Sequence, residues 1–549
     1  MQRATLRILL TLGFAAFPAC GSGHDAHATA VNEGVRPGGA IPAPEERLLP
    51  GTGNYRFRIS TRSPLAQRFF DQGLVLAWGF NFAEAERSFR EASRLDPECA
   101  MCLWGIAYSL GPSINHDMSR AAATAAHSAV RQAVRLARAA GARERALIDA
   151  LARRYEAAPA DDRSALDLAY AGALRKVAQR FPDDADVLTL LADALMIPHG
   201  RDYWRKDGTP ESWTRDIIAT LERALKIAPD HPGANHFYVH VLEDSSQPGR
   251  AVASAERLRT IAPGVGHLVH MPSHVYLRLG NYAGALCANE EAIAADRAYL
   301  AAIAADPAYV SGYVEHNHHF LWYAAVMSGH SAAALSAAAE LARSAGSAAA
   351  GGPMSGTRQH FVVLPLYTLV RFGRWQDILA SARPVAATGY TDGVWHYARG
   401  MAYLRTGRAD RAREELESVN ASLRAAAFGG AELKNTNRLS TLLEICFELL
   451  RAELAGAQGN DATAIAHARA ALKLETGLAA DEPPAWHMPA RHTLGALLLE
   501  AKRAPEAERV FREDLAVHPE NGWALAGLAE SMARQAAKHR PVPVPAGER

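Results

Sequence analysis

The feature that most constrains this chain is a frame that returns along it. The stretch "FNFAEAERSFREASRLDP", from Phe80, sets Ala85, Phe89, Ala92 and Pro97 at successive intervals of 4, 3 and 5. The frame comes back in "GNYAGALCANEEAI" from Gly280, "GRWQDIL" from Gly373, "GRADRAREEL" from Gly407 and "RAPEAERVFREDLAVHP" from Arg503. Each copy follows an apolar stretch of helical period, so each unit reads as two successive helices. Such a pair cannot bury its apolar face alone and must stack on like neighbours. Composition agrees: alanine and leucine dominate, β-branched runs are few, and that mixture favours helix. The net charge is +1, from 59 basic and 58 acidic residues, which leaves no electrostatic footprint for nucleic acid.

These intervals match the second half of a tetratricopeptide (TPR) repeat, and the chain resembles that superfamily over most of residues 65–535. The resemblance implies an all-α fold, a TPR-type α-solenoid of stacked helix pairs. It also implies that places 4, 7, 8 and 11 of each first helix face the core, while places 2, 5, 9 and 12 line a concave groove. Extra residues near 110–120, 198–212 and 297–314 interrupt the repeat, and insertions of this kind usually gather on one face, often the binding face. The insertion "PHGRDYWRKDGTPESW" (198–213) is placed to cover a groove. The expected division is N-terminal repeats over 51–184, central histidine-rich repeats over 185–345, C-terminal repeats over 346–535 and a disordered tail over 536–549.

Two bursts of histidine lie in the central repeats, "HPGANHFYVHVLED" from His231 and "GHLVHMPSHVYLRLG" from Gly266. Counting one repeat from Pro232 puts His236, His240 and Glu243 on places 5, 9 and 12. Counting the next from Gly266 puts His267, His270 and His274 on places 2, 5 and 9. A third repeat, expected to begin at Glu315, puts His316 and His319 on places 2 and 5, and a fourth puts His360 on place 2. His236 and His270 stand 34 residues apart, as do His240 and His274, so equivalent places on adjacent helices face one another. Residues at i and i+4 on a helix lie about 5–6 Å apart at Cβ. Two such pairs on helices packed about 8–10 Å apart make a compact square of imidazoles. Asp193, on place 9 of a repeat beginning near Ala185, is expected to stack against His240. Pro272 breaks the pattern, because it lacks an N–H and clashes with the carbonyl four residues back.

A single helical histidine is ordinarily a core or surface residue with no further role. A cluster is harder to dismiss, because imidazoles packed together repel once protonated, and a metal ion removes that repulsion. The candidate ligands are His236, His240, Glu243, His267, His270, His274, His319 and Asp193. Three histidines with an open position suit catalytic zinc. Two histidines with a carboxylate, as in His236, His240 and Glu243, suit ferrous iron. Six histidines (His236, His240, His267, His270, His274 and His319) suit a dinuclear copper site. Copper, zinc and iron therefore all stand as cofactors. No H-E-x-x-H protease motif, phosphate-binding glycine loop or G-x-S-x-G elbow is present. The competing expectation is a scaffold, because TPR grooves commonly bind peptides. Peptide-clamping grooves usually carry Lys, Arg and Asn on these places, whereas His, Glu and Tyr stand here.

The N-terminus "MQRATLRILLTLGFAAFPAC" carries two arginines, an apolar run and then Cys20, the pattern of an export signal. Ala19 before Cys20 resembles a bacterial lipoprotein cleavage box, which implies lipidation of Cys20 and an outer-membrane or periplasmic address, with membrane contact only through that anchor. Phe17 and Pro18 depart from the usual box. Residues 21–50, rich in Gly, Pro and Ala, read as a tether, and an envelope protein or peptide is the expected partner. Cys99 and Cys102 read as either a disulfide or two partly buried thiols, while Cys287 and Cys446 read as core thiols. The histidine bursts, together with "EPPAWHMPARHTLGALLL", resemble a group of bacterial TPR proteins named only for their repeats. More distantly they resemble the animal family called tetratricopeptide repeat protein 38. Neither resemblance implies an established reaction.

Overall fold

The computed structural model of the chain describes residues 47–159, 161–205, 207–303, 306–347, 354–384, 388–425, 431–433 and 436–538. The export segment, Cys20, the tether up to residue 46 and residues 539–549 lie outside the described residues. The described chain is α-helical apart from two isolated β-bridges and a two-stranded ribbon, Glu432–Leu433 against Asn437–Arg438. It separates into two compact units. One holds residues 47–276 with 287–317, the other residues 277–286 with 318–538.

In the first unit the chain enters as an extended segment whose Phe57 is fully buried, and the Leu49 N–H donates to Gln72 Oε1 at 2.7 Å. The helix Pro64–Trp78 then begins with proline in its first turn and Ser63 as its cap, accepting from the Ala66 N–H at 3.1 Å. The frame residue Phe89, on the helix Phe82–Leu95, explains why glycine recurs nearby. A Cβ on Gly73 would come within 2.7 Å of the Phe89 ring, and one on Gly105 within 2.3 Å. The ring therefore fills a slot between two helices that only glycine leaves open. The second unit repeats the device: Phe511 sits against Gly495 and Gly527, where a Cβ would come within 2.3 and 2.2 Å.

The turn inside each helix pair is also a repeated device. The helix Pro64–Trp78 ends in Gly79 and Phe80, and the Asn81 N–H reaches back to the Leu76 carbonyl at 2.8 Å. The same bond closes Arg374 to Leu369, Arg408 to Tyr403, Asn460 to Ala455 and Arg503 to Leu498, at 2.8–3.0 Å. The residue before the donor takes a left-handed conformation, as helix C-caps of this kind require. It is glycine at Gly280, Gly329, Gly373, Gly407 and Gly459, with φ between 66° and 82°. At Phe80 and Lys502 it is not glycine, yet φ is 60° at both.

The central helices follow the expected starts at first. Ala185–Met196 and Pro232–Leu242 begin where the repeat frame puts them. Pro272 then splits the next helix into Gly266–His270 and Pro272–Arg278, with Met271 at the joint. The third central repeat departs further. Its first helix starts at Pro307 rather than Glu315 and passes through a π-helical turn, Val310–Val314, before Glu315–Ser328. The helix Gly522–Lys538 includes residues 536–538 of the expected tail, and the rest of that tail lies outside the described residues. Cys99 and Cys102 form a disulfide and Cys446 is a buried thiol.

Candidate metal centre

The helix Pro232–Leu242 is held where Gly233 lets it lie on Trp78; a Cβ there would come within 2.8 Å of the indole. His231 caps it, accepting from the Ala234 N–H at 3.2 Å, and its other ring nitrogen lies 3.2 Å from Asp186. With the start fixed, His236 and His240 project from one side, and the broken helix across from them supplies His267, His270 and His274. None of these five side chains, nor Glu243, exposes more than 4% of its surface. The places that line a concave surface in the frame are here covered by Phe80, Tyr313 and the 198–213 insertion.

Two sets of three imidazoles result. Within His236, His240 and His267, one ring nitrogen from each lies within 4.8 Å of the other two, and the same holds for His270, His274 and His316. His236 Nε2 faces His267 Nε2 at 3.1 Å, and His270 Nε2 faces His274 Nε2 at 2.8 Å. Ligand nitrogens bonded to one metal at about 2.0–2.1 Å stand roughly 3.3 Å apart in tetrahedral geometry, so each pair needs to open by only a few tenths of an ångström. Either set can hold a metal ion.

The opposite edges of the rings are tied down. His236 Nδ1 donates to the Trp78 carbonyl at 2.5 Å and His270 Nδ1 to Asn289 Oδ1 at 2.7 Å. Glu243 takes the other two, with Oε1 3.0 Å from His240 Nδ1 and Oε2 2.9 Å from His274 Nδ1. Arg201, from the insertion, closes on Glu243 Oε1 and also lies 3.4 Å from His240 Nδ1, a looser approach than that of the carboxylate. Carbonyl, amide and carboxylate oxygens can only accept, so His236, His240 and His270 carry their protons on Nδ1 and their Nε2 lone pairs point inward. Trp204 fastens the insertion to the same helix, its indole donating to the Val241 carbonyl at 2.7 Å.

The electrostatics favour neutral rings. Burial holds His236, His267 and His270 well below the usual imidazole range, and the neighbouring histidines add to it. Burial lowers His240 as well, against the pull of Glu243. Burial acts to raise the Glu243 carboxyl, but Arg201, His240 and His274 together hold it well below the usual range, so it stays ionised. His240 Nε2 and His267 Nδ1 are buried and have no hydrogen-bond partner.

Two expected ligands are placed elsewhere. Asp193 is buried and accepts from the Tyr108 hydroxyl at 2.9 Å; burial pushes its carboxyl up to about 6. It joins neither imidazole set. His319 falls in the second unit, its ring 5.6 Å from Trp322 and 6.1 Å from His360. The sixth imidazole is His316, which the frame turns toward the groove but which is absent from the expected ligands. Sequence reasoning also missed Arg201, Asn289, Trp78 and Phe80. For Arg201 a signal existed, since the insertion carrying it is placed to cover the histidines.

No protein-family model and no curated protein matches the chain. Among solved structures it is similar to the human IFIT1 dimer with m7Gppp-AAAA, at 13% identity, covering 87% of this chain and 92% of that one, with a TM-score of 0.30. It is similar to the Cut9–Hcn1 hetero-tetramer of APC/C, at 13% identity over 85% of this chain and 76% of that one, TM-score 0.30. It is also similar to the TPR domain of P58(IPK), at 10% identity over 87% and 99%, TM-score 0.20. The all-α, tetratricopeptide-type build of this chain rests on its own features: the recurring frame, the helix pairs and the closed left-handed turns.

Proposed function

We propose that the six imidazoles hold two transition-metal ions, three to each, and that the protein is a metalloprotein with oxidoreductase capacity. The observation that carries this reading is the pair His270 and His274. His270 Nδ1 is bonded to Asn289 Oδ1 and His274 Nδ1 lies 2.9 Å from the Glu243 carboxylate, so with protons on both Nδ1 atoms two neutral rings would present lone pairs to each other at 2.8 Å. A cation between them turns that repulsion into two bonds. Burial disfavours a proton there, which leaves a metal.

Copper fits the donors best. Imidazole suits copper, zinc and iron, and copper binds such sites most tightly in the divalent series. Six neutral donors also suit monovalent copper, because two singly charged ions place less charge in a buried site than two doubly charged ones. In this reading Glu243 leaves the ligand set and becomes the acceptor that orients His240 and His274. That weakens the two-histidine, one-carboxylate arrangement for iron. An ion held by three imidazoles keeps an open position for a small molecule.

The test is elemental analysis of untagged protein, metal-free and then reconstituted with copper or zinc. Two equivalents of copper are expected, and His240→Ala with His274→Ala should lose them. Substoichiometric metal that does not rise on reconstitution sinks the reading, as does unchanged metal in the double variant. Export through the N-terminal segment, with lipid on Cys20, belongs to the same reading. The Cys99–Cys102 disulfide fits an oxidising compartment. The mass of the N-terminal peptide from a membrane fraction, compared with Cys20→Ala, decides it.

A further inference from the structure

One residue covers the imidazoles without being able to bind a metal. The Phe80 ring centroid lies 4.7 Å from His236, 5.0 Å from His267 and 5.9 Å from His240, nearly parallel to the last two at 27° and 19°. Tyr313 closes the same side, 6.0 Å from Phe80 and 4.9 Å from His267. Phe80 exposes only 3% of its surface.

Its backbone makes this placement costly. Phe80 occupies the left-handed turn position that five other helix pairs give to glycine, with φ at 60°. A residue with a Cβ is disfavoured there, and a bulky one more so. Lys502, the other exception, points into solvent. Phe80 is thus a bulky side chain set at a glycine position and buried against three imidazoles. Strain of this kind persists where the surroundings over-determine it, and it gathers at functional sites. Two of these imidazoles have a ring nitrogen, His240 Nε2 and His267 Nδ1, that is buried and without a hydrogen-bond partner.

We propose that Phe80 caps the first imidazole set and limits what reaches its metal to a molecule of two or three atoms, the class of dioxygen, cyanide and azide. The inference rests on the proposed metal centre. The Phe80 face lies nearly parallel to His267 and the Tyr313 ring stands beside the same imidazole, which leaves little room there for a ligand that is a ring or a chain.

The experiment uses the full-length protein loaded with cobalt(II), whose visible spectrum reports each added ligand. Azide and imidazole are titrated into the wild type, Phe80→Gly and Phe80→Ala, with metal content measured on every sample first. Azide should bind all three. Imidazole should bind the wild type at least tenfold more weakly than it binds Phe80→Gly. Phe80→Gly suits the turn, so its fold is expected to hold. Should it fail, a graded series on the wild type (azide, thiocyanate, imidazole, 4-phenylimidazole) reads the same cut-off. Equal imidazole affinity in the wild type and Phe80→Gly at full metal occupancy overturns the cap, and so does a wild type that accepts every ligand of the series. Absence of bound metal in the wild type overturns the metal reading instead.

Discussion

Glu243 is the residue on which the two imidazole sets meet. Its Oε1 accepts from His240, its Oε2 lies 2.9 Å from His274 Nδ1, and Arg201 supplies a balancing charge. Glu243→Gln keeps the volume but offers one acceptor oxygen instead of two, and it removes the negative charge that faces Arg201. Loss of such an orienting partner typically lowers metal affinity about 10–100-fold. Competition with a chelator of known affinity checks this, and an unchanged affinity would show that Glu243 does not orient the ligands. A second residue-scale prediction concerns His487 in the second unit. It is buried against Tyr367, Trp322 and Trp486, and neither ring nitrogen has a partner. Burial, then Arg371 and His360, holds it well below 6.5. The unfolded chain therefore binds the proton first as pH falls below 6.5. Stability is complete above that value and drops toward acid, by at most about 1.4 kcal/mol per pH unit for one such group. His492, lowered to about 4 chiefly by burial, adds the same sign between 6.5 and 4. His487→Phe should remove one proton from the slope of denaturation midpoints between pH 6.5 and 5; an unaltered slope would show that His487 is already protonated in the fold. At this scale much is legible in the sequence. His236, His240, His267, His270 and His274 stand out because a helix and a repeat interval both point to them. Their hydrogen-bond acceptors are not legible. A backbone carbonyl such as that of Trp78 carries no sequence signature, and Asn289 lies on a helix outside the repeat's first-helix frame.

At the scale of elements, register explains the one exchanged ligand. The frame starts the third central repeat at Glu315, and on that count His319 shares a place with His236 and His270. The helix instead begins at Pro307 and includes a π-turn, which inserts a residue and rotates the remainder of the helix. His316 then joins His270 and His274, and His319 does not. A period read from sequence assumes equal helices, and an insertion with a π-turn violates that silently. Pro272, by contrast, is readable: a proline there has to kink or restart the helix, and the break occurs at Met271. The frame's glycines give a prediction of their own. Gly105→Ala would drive a methyl group into the Phe89 ring, with no backbone freedom to relieve it. Overpacking of this kind costs about 1–3 kcal/mol. Urea denaturation should show a lower midpoint with little change in slope. A midpoint within error of the wild type would mean that the Phe89 ring moves aside.

For the whole molecule, the metal reading predicts a stability that depends on its supply. A ligand present at a thousandfold excess over its dissociation constant stabilises the folded state by about 4 kcal/mol. Calorimetry of stripped and copper-loaded protein should show a transition that rises with metal; a thermogram indifferent to copper would count against the centre. The near-neutral charge gives no net electrostatic pull on an anionic or cationic macromolecule. The buried imidazoles also bear on how the chain opens. In a stack of repeats each helix pair leans only on its neighbours, so local stability varies along the array. At this seam His236, His240, Glu243, His267, His270 and His274 are buried among the apolar side chains of the core. Without an ion these clustered polar groups should weaken the joint. Amide hydrogens along Pro232–Leu242 should then exchange early, ahead of those in Pro64–Trp78. With the ion in place the order reverses, and the joint that opened first becomes the last to let go.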